Sequence, residues 1–199
     1  DEALLDAARS VGAVVTQGCR VREIRRLDDG EVEVAVDDRT VRGRWLLDAS
    51  GQATVVGRHL GARRVLPDHR RTAVFAHCTG VWRNPGDREG FITVVMCDEG
   101  WFWIIPLDDR TTSVGVVLDR NAVAAAGVPP RELLEWAIGR CPVMAERCRD
   151  AEVRVGPKVE AEFSYRCSPY AGPGTFLLGD AAVFVDPVFS TGVCLGMAT

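Results

Sequence analysis

The chain has 199 residues, of which 47% are hydrophobic and 26% are charged, so it is long enough for one sizeable core and is not disordered. Its 24 basic and 28 acidic residues give a net charge of −4, which excludes the basic footprint expected of a protein that binds nucleic acid or anionic membranes. No run of about eighteen apolar residues is present. We therefore expect a cytoplasmic protein with no nucleic acid and no membrane among its partners.

The cysteines predict neither a metal site nor a disulfide framework. There are 7 of them, scattered through the chain and never spaced C-x-x-C. An odd number without metal-ligand spacing is typical of reduced thiols.

The two ends of the sequence predict a fragment. Asp1 opens directly on an amphipathic helix with no initiator methionine, and Ala198-Thr199 fall inside another predicted helix. We expect such a piece to leave one edge and one face of a parallel sheet exposed, and to bind a cofactor poorly by itself.

The first sixty residues predict a helix, a short strand and a three-stranded meander. Leu4, Leu5 and Ala8 have helical spacing, and Gly12 follows as a stop. Strands are expected over residues 13–15, 21–27, 31–37 and 40–47, with a hairpin turn at residues 28–30. A short helix then begins near Gln52 and ends at Gly61.

The middle of the chain predicts an antiparallel sheet followed by two helices. Strands are expected over residues 72–79, 81–82, 91–96, 101–107 and 113–118, separated by turn-forming residues. Helices are expected over residues 131–139 and 142–148. Residues 153–165 then return toward the first part of the fold.

The last twenty-four residues carry the candidate ligand site. Phe176–Leu178 has the length of a buried strand, Gly179 ends it without a side chain, and Asp180 supplies an acceptor suited to sugar or ribityl hydroxyls. Ser190 or Thr191 is a good N-cap for a helix beginning near Gly192, whose free N–H groups favour an anion: a phosphate, a reduced flavin ring or a halide. The alternative is an ordinary strand-to-helix turn.

Three stretches each resemble part of one known protein family. G-D-A-A at 179–182 followed by F-V-D-P-V-F-S-T-G at 184–192 resembles the second flavin motif of the FAD-dependent halogenases, within the class of FAD monooxygenases shaped like para-hydroxybenzoate hydroxylase. L-L-D-A-S-G at 46–51 resembles the middle of its FAD domain, although Asp48 and Ser50 are equally suited to capping the next helix. F-S-Y at 163–165 resembles the family's approach to the flavin loop. Phe189 stands where tryptophan halogenases usually carry a glutamate, which favours a phenolic or pyrrolic substrate over free tryptophan.

The fourth signature is W-x-W-x-I-P at residues 101–106. Period two predicts that Trp101, Trp103 and Ile105 share one strand face, and aromatic packing alone is an adequate explanation of that pattern. The motif also resembles the fingerprint that, in the family, lies near the tunnel leading from the flavin. That resemblance assigns Trp101, Trp103 and Pro106 to the tunnel and gives them no role in proton transfer.

The resemblance implies an α/β (mixed α+β) fold: a truncated FAD/NAD(P)-binding Rossmann-like domain with an antiparallel substrate-side sheet. Residues 1–64 and 150–199 would form the partial FAD-binding domain, and residues 65–149 the substrate side. The implied cofactor-binding residues are Val21, Asp48, Gly51, Gly179, Asp180 and Pro187. The implied halide-binding residues are Ser190, Thr191 and Gly192.

The resemblance also implies the chemistry. FADH2, supplied by a separate flavin reductase, would react with oxygen and with chloride or bromide to give hypohalous acid, which a lysine delivers to a small aromatic substrate, free or tethered to a carrier protein. No G-x-G-x-x-G occurs in the chain, and Lys158 does not match the family's catalytic lysine, which is expected upstream. No catalytic residue is therefore assigned.

Two other functions fit the weaker motifs. G-D-A-A and D-A-S-G are sufficient for an FAD-dependent aromatic hydroxylase or a geranylgeranyl-reductase-like oxidoreductase. The missing first motif also fits a non-catalytic flavoprotein-like module.

Overall fold

The structure is a computed structural model that describes residues 2–161 and 163–198. The predicted helical position of Thr199 lies outside the described residues. Within the described part of the chain, no helix is long and apolar enough to cross a membrane, and no cluster of His, Cys, Asp and Glu has the arrangement of a metal site.

The described residues form six α-helices and fourteen strands. The helices are α1 (Glu2–Ser10), α2 (Val55–His59), α3 (Arg120–Ala126), α4 (Leu133–Arg140), α5 (Pro142–Arg147) and α6 (Gly192–Ala198). The strands are β1 (Val21–Asp28), β2 (Glu31–Val36), β3 (Arg39–Gly43), β4 (Leu46–Asp48), β5 (Arg63–Val65), β6 (Arg71–Thr79), β7 (Thr93–Cys97), β8 (Gly100–Pro106), β9 (Thr112–Asp119), β10 (Glu152–Ala161), β11 (Tyr165–Cys167), β12 (Ala171–Gly172), β13 (Thr175–Leu177) and β14 (Val183–Phe184).

The largest layer is an antiparallel sheet in the order β10-β6-β9-β8-β7. One face carries the main core, in which Phe102, Ile104 and Val116 are at most 1% exposed beneath α3, α4 and α5. Each side chain buried to this degree stabilises the fold by roughly 1.5–3 kcal/mol. The alternation of β8 turns Trp101 to the opposite face, where it packs with Phe163.

Strand β10 is an edge strand of this sheet, where it pairs with β6 over most of its length. The predicted division of the chain assigned residues 150–199 to the cofactor side, whereas this pairing joins residues 152–161 to the substrate-side sheet. The division itself stays a prediction.

Three small sheets make up the other layer. They have the orders β1-β2-β3, β14-β11-β5 and β12-β13-β4. Strands β4 and β13 run parallel, as the predicted return of the meander to a parallel sheet requires. The hairpin at 28–30 is also present, with Gly30 at φ +81°, and Asp29 Oδ1 accepts a hydrogen bond from Gly174 N at 3.0 Å, which ties the hairpin to the start of β13.

Two of the predicted strands are wrong. Residues 13–15 are not a strand: Ala13 N closes the end of α1 by donating to Ala8 O at 3.1 Å, and Val14 is 95% exposed. Residues 81–82 are not a strand either. Gly80, at φ +73°, turns the chain, and Trp82 N then donates to Arg147 O at 2.8 Å.

Two further elements differ from the prediction. The single strand expected over 40–47 is divided into β3 and β4, because the chain leaves the meander at residues 44–45 and enters the parallel sheet. Helix α3 was not predicted, although its ends carry ordinary signals. Asp119 caps it by accepting from Ala122 N at 2.7 Å, and Gly127 ends it at φ +63°.

Candidate functional site

The parallel pair β4 and β13 brings two distant motifs together. Leu177 lies opposite Asp48 in the register, and Leu178 N donates to Asp48 O at 2.9 Å. Both strands therefore end at the same edge of the sheet. The D-A-S-G turn and the Gly179-Asp180 turn leave this edge side by side, which is the usual location of a ligand site in such folds.

Asp48 organises the first of these turns. Its side chain is buried, and its two carboxylate oxygens accept backbone hydrogen bonds from Ser50 N at 2.9 Å and from Val56 N at 2.7 Å. Ser50 Oγ accepts from Val55 N at 2.9 Å. Asp48 and Ser50 therefore bond to backbone N–H groups at the start of the next helix, as the capping alternative predicted. Asp48 orients the backbone of the turn rather than presenting a free carboxylate.

The two turns and α6 line a groove of about 630 Å³. Its lining residues are Ala49, Gly51, Leu178, Gly179, Asp180, Gly192, Val193 and Gly196. A Cβ at Gly51 or Gly196 would meet no atom within 4 Å, so these backbones face open space. Gly51 and Gly179 also have left-handed φ values of +60° and +51°, which favour glycine. The groove therefore lets a ligand approach the backbone closely.

Asp180 supplies the groove with a free acceptor. No donor among the described residues bonds to its carboxylate, which lies beside the start of α6: a Cβ on Gly192 would be 3.6 Å from Asp180 Oδ1. Partial burial raises the pKa of Asp180 above its ordinary value. An acceptor without a protein partner, in a groove lined by glycine, fits a ligand that donates hydroxyl groups, such as the ribityl chain of a flavin.

Strand β11 holds the backbone that follows Asp180. Tyr165, which has no exposed surface, donates from its hydroxyl to Asp180 O at 2.6 Å, and Ser164 Oγ donates to Val185 O at 2.5 Å. Burial, followed by the nearby Asp180, raises the pKa of Tyr165 to about 12, so the phenol remains a donor at neutral pH. The F-S-Y segment thus anchors both ends of residues 180–185.

The next segment, residues 186–192, has an unusual backbone. Asp186 Oδ1 accepts from Val188 N at 3.1 Å and caps a 3-10 turn over Pro187–Phe189. The turn ends at Ser190, which has a left-handed φ of +51° that is uncommon for a residue other than glycine. Asp186 Oδ2 forms an ion pair with Arg71 Nη1 at 2.8 Å.

A second cavity, of about 320 Å³, is lined in part by this segment. Its lining residues are Phe75, Ile92, Val94, Trp101, Trp103, Ile105, Ser113, Pro187, Val188 and Ser190. The rings of Trp101 and Trp103 are 5.8 Å apart between centroids, and Trp103 Nε1 donates to Ser113 Oγ at 3.1 Å. Trp101, Trp103 and Ile105 therefore share one strand face, as period two predicted.

The structure brings most of the predicted site residues to these two cavities. Gly51, Gly179, Asp180 and Gly192 line the groove, whereas Pro187, Ser190, Trp101 and Trp103 line the aromatic pocket. Four predicted site residues line neither cavity: Val21, Asp48, Pro106 and Thr191. Val21 starts β1 opposite Val36, Pro106 ends β8 opposite Thr112, and the buried Asp48 bonds to the backbone of its own turn. Segment 186–192 contributes residues to both cavities.

One residue with a structural role at the site was not predicted from the sequence. Arg71 acts through a side-chain contact with Asp186, far along the chain, which leaves no local pattern. Ser164 and Tyr165 were part of a recognised motif, but their hydrogen bonds to Val185 O and Asp180 O follow only from the fold.

Comparison with known proteins supports a single family. The sequence model of the tryptophan halogenase family matches residues 1–198. A 1H-pyrrole-2-carbonyl-(peptidyl-carrier protein) brominase from Pseudoalteromonas luteoviolacea (strain 2ta16) is 35% identical over 179 residues, which are 85% of this chain and 44% of that protein. A tryptophan 2-halogenase from Chondromyces crocatus is 32% identical over 210 residues, which are 99% of this chain and 40% of that protein.

Solved structures agree with the sequence relatives. The flavin-dependent brominase Bmp2 superimposes with a TM-score of 0.86 at 29% identity, covering 99% of this chain and 51% of that chain. Halogenase PltM in complex with phloroglucinol and FAD gives a TM-score of 0.84 at 25% identity, covering 99% of this chain and 43% of that chain.

The chain spans less than half the length of the curated relatives described above. The match to the family nevertheless extends over nearly all of this chain, and the Rossmann-like α/β fold class predicted from the motifs is confirmed by the solved relatives. The chain therefore belongs to the tryptophan halogenase family, the flavin-dependent halogenases that its D-P-V-F-S-T-G and W-x-W-x-I-P motifs resemble.

Proposed function

We propose that the whole protein is an FADH2-dependent halogenase that transfers chlorine or bromine to a phenolic or pyrrolic ring. The observation that carries the proposal is that segment 186–192 contributes residues to both cavities: Gly192 lines the glycine-lined groove, and Pro187, Val188 and Ser190 line the aromatic pocket. A halide held on this segment would be adjacent to both the cofactor and the substrate. An enzyme that passes an oxidised halogen from one to the other requires this arrangement.

The groove would hold the flavin. Asp180 would accept hydrogen bonds from the ribityl hydroxyls, and Gly51, which faces open space, would let the phosphate-ribose part approach the backbone. The missing side chain of Gly179 instead lets α6 pack closely, because a Cβ there would lie 3.1 Å from Gly196 Cα. Asp48 would act indirectly, by fixing the turn that contains Gly51. The Val21 backbone, which lies outside the groove, would meet the adenine at the far end of an extended cofactor.

Reduced FAD, when bound, would supply two electrons to oxygen, and the oxygen would take two further electrons from the halide, which thereby becomes an electrophile. The chain's own contribution is to bind the halide. Ser190 N is already used, because it donates to Pro187 O at 2.8 Å. Neither Thr191 N nor Gly192 N donates within the described residues, so these two N–H groups and the Ser190 hydroxyl are the donors proposed for the halide. Pro187, which was predicted to bind the cofactor, lines the aromatic pocket and not the groove, so it would cover the pocket side of the segment.

The aromatic pocket would form the route to the substrate. Trp101 and Trp103 provide flat apolar walls that exclude water, which protects an electrophilic halogen from unproductive reaction. Pro106, at the end of the same strand, would act only by ending β8. The phenolic or pyrrolic class is supported by Phe189 and by two relatives, one named for a 1H-pyrrole-2-carbonyl group on a peptidyl-carrier protein and the other solved in complex with phloroglucinol.

Three parts of the proposal concern the source of FADH2, the form of the substrate and the location of the protein in the cell. We propose a separate flavin reductase as the source of FADH2, a substrate that is either free or tethered to a carrier protein, and a cytoplasmic location. The catalytic lysine is proposed to lie outside this chain, because Lys158 is exposed on the edge strand β10.

The experiment is product analysis by mass spectrometry. The full-length protein is incubated with FADH2, oxygen, a phenol and pyrrole panel in free and carrier-tethered form, and either chloride or bromide. A product with the isotope pattern of the supplied halogen supports the proposal. A gain of one oxygen that is independent of halide identifies a hydroxylase instead, and FAD binding with no product in any arm identifies a non-catalytic module.

A further inference from the structure

The ion pair between Arg71 and Asp186 joins the two layers of the molecule next to the proposed site. Arg71 is the first residue of β6, in the five-stranded sheet, and its Nη1 lies 2.8 Å from Asp186 Oδ2. The Asp186 side chain is only 14% exposed and that of Arg71 is 33% exposed. The pair is therefore less screened by solvent than a surface salt bridge.

Asp186 transmits this contact to the backbone of segment 186–192. Its second oxygen, Oδ1, caps the 3-10 turn through Val188 N at 3.1 Å. The turn ends at Ser190, whose left-handed φ costs free energy and persists only where the surrounding contacts enforce it. Because one carboxylate binds Arg71 and caps the turn, the position of Arg71 determines the position of the turn.

The same ion pair also neutralises the negative charge of Asp186 near the proposed halide site. Asp186 is four residues before Ser190, in a segment proposed to bind an anion. An unpaired carboxylate with so little exposure would be costly to desolvate and would repel the anion. The guanidinium of Arg71 cancels this charge without occupying the free N–H groups of Thr191 and Gly192.

We propose that Arg71 is a positioning residue that, through Asp186, holds segment 186–192 in the conformation that exposes its halide-binding N–H groups. The halide part of this inference rests on the proposed function. The conformational part does not, because the ion pair and the cap are contacts of the protein alone.

The conformational part is tested by amide hydrogen exchange of the full-length protein without cofactor. In Arg71→Gln, the amides of residues 187–192 should exchange about tenfold faster or more, since a charge-assisted contact to a mostly buried carboxylate is lost. Arg71→Lys should recover part of the protection. Asp186→Asn keeps an oxygen for the Val188 cap but removes the charge, so it should speed exchange of residues 187–192 as much as Arg71→Gln does. The double variant Arg71→Gln with Asp186→Asn should exchange no faster than either single variant.

Arg154→Gln is the matched control. Arg154 pairs with Glu152 at 2.6 Å and donates to Thr79 Oγ1 at 3.1 Å, at the opposite end of β6 from Arg71. This variant should leave exchange of residues 187–192 unchanged. Equal exchange of those residues in Arg71→Gln and in Arg154→Gln would overturn the proposal.

The functional part is tested by halide kinetics and binding. Arg71→Gln should raise the halide KM about tenfold while kcat at saturating halide falls less than about threefold, because a binding geometry is disturbed rather than a reacting group. Halide titration of the FAD-bound protein, followed by flavin absorbance without reductant, should show the same loss of affinity. If Arg71→Gln exchanges faster but binds halide with unchanged affinity, Arg71 has no role in halide binding. If the protein without a substitution binds no halide, the proposed function is refuted, and the exchange result still tests the conformational part.

Discussion

The hydroxyl of Tyr165 provides a sharp test of how the cofactor turn is held. Tyr165→Phe removes one oxygen from a side chain that has no exposed surface. The ring contacts should remain, including the stacked Phe184 at 6.5 Å between centroids and the Arg63 guanidinium 4.0 Å from the ring centroid. The specific loss is the 2.6 Å hydrogen bond to Asp180 O.

The size of the effect follows from burial. A net hydrogen bond contributes about 0.5–1.5 kcal/mol, and an acceptor left unpaired in the interior costs about 1–3 kcal/mol. We expect Tyr165→Phe to lower the free energy of unfolding by about 1–2 kcal/mol. Because the acceptor is the backbone of Asp180, the dissociation constant for FAD should also rise, by about threefold to tenfold.

The assay is urea denaturation of the cofactor-free full-length protein, followed by FAD titration monitored by flavin fluorescence. Tyr170→Phe is the matched control, since Tyr170 is 49% exposed and its hydroxyl has no hydrogen bond within the described residues. The control should change neither quantity. If Tyr165→Phe and Tyr170→Phe behave alike, the hydrogen bond to Asp180 O does not hold the turn.

Two further predictions concern the walls of the two cavities. In Gly115→Ala, the new methyl group would overlap the Trp103 ring and displace it from Ser113. The free energy of unfolding should fall by about 1–3 kcal/mol, and tryptophan fluorescence should change. Unchanged fluorescence would contradict the packing of Trp103 against Gly115. The raised pKa of Asp180 predicts the direction of the stability change in Asp180→Asn, because burial penalises the ionised carboxylate. Removing the charge should therefore stabilise the cofactor-free protein at neutral pH. The same substitution should weaken FAD binding. This gain in stability should disappear as the pH falls through the folded-state pKa of Asp180, because Asp180 itself then becomes neutral. A gain that is constant with pH would refute burial of the charge as its cause.

Local patterns predicted the parts of the fold that depend on neighbouring residues. The alternation of β8 correctly assigned Trp101, Trp103 and Ile105 to one face, because the side-chain period of a strand is a backbone property. The strand before Gly179 is present where an apolar run predicted it. The hairpin before Glu31 is present because Gly30 supplies the left-handed residue of its turn. The strand predicted over 13–15 failed because a short apolar run also fits an exposed loop that has no partner strand.

Contacts between distant residues could not be read from local patterns. The spacing around Asp48 allowed either a cap or a ligand, and only the fold shows that both of its oxygens accept backbone N–H groups. Arg71 and Asp186 belong to different layers, and nothing in either local sequence indicates their pairing. The membership of β10 in the five-stranded sheet likewise depends on pairing with β6, which local pattern does not determine.

The most direct measurement of the central claim is the location of bromide in crystals of the full-length protein soaked with bromide and oxidised FAD. Anomalous scattering identifies the ion without reference to activity. We expect a bromide peak within hydrogen-bonding distance of Thr191 N and Gly192 N, between the flavin in the glycine-lined groove and the tryptophans of the aromatic pocket. Flavin bound in the groove with no bromide at segment 186–192 would contradict the role of this segment as the link between cofactor and substrate.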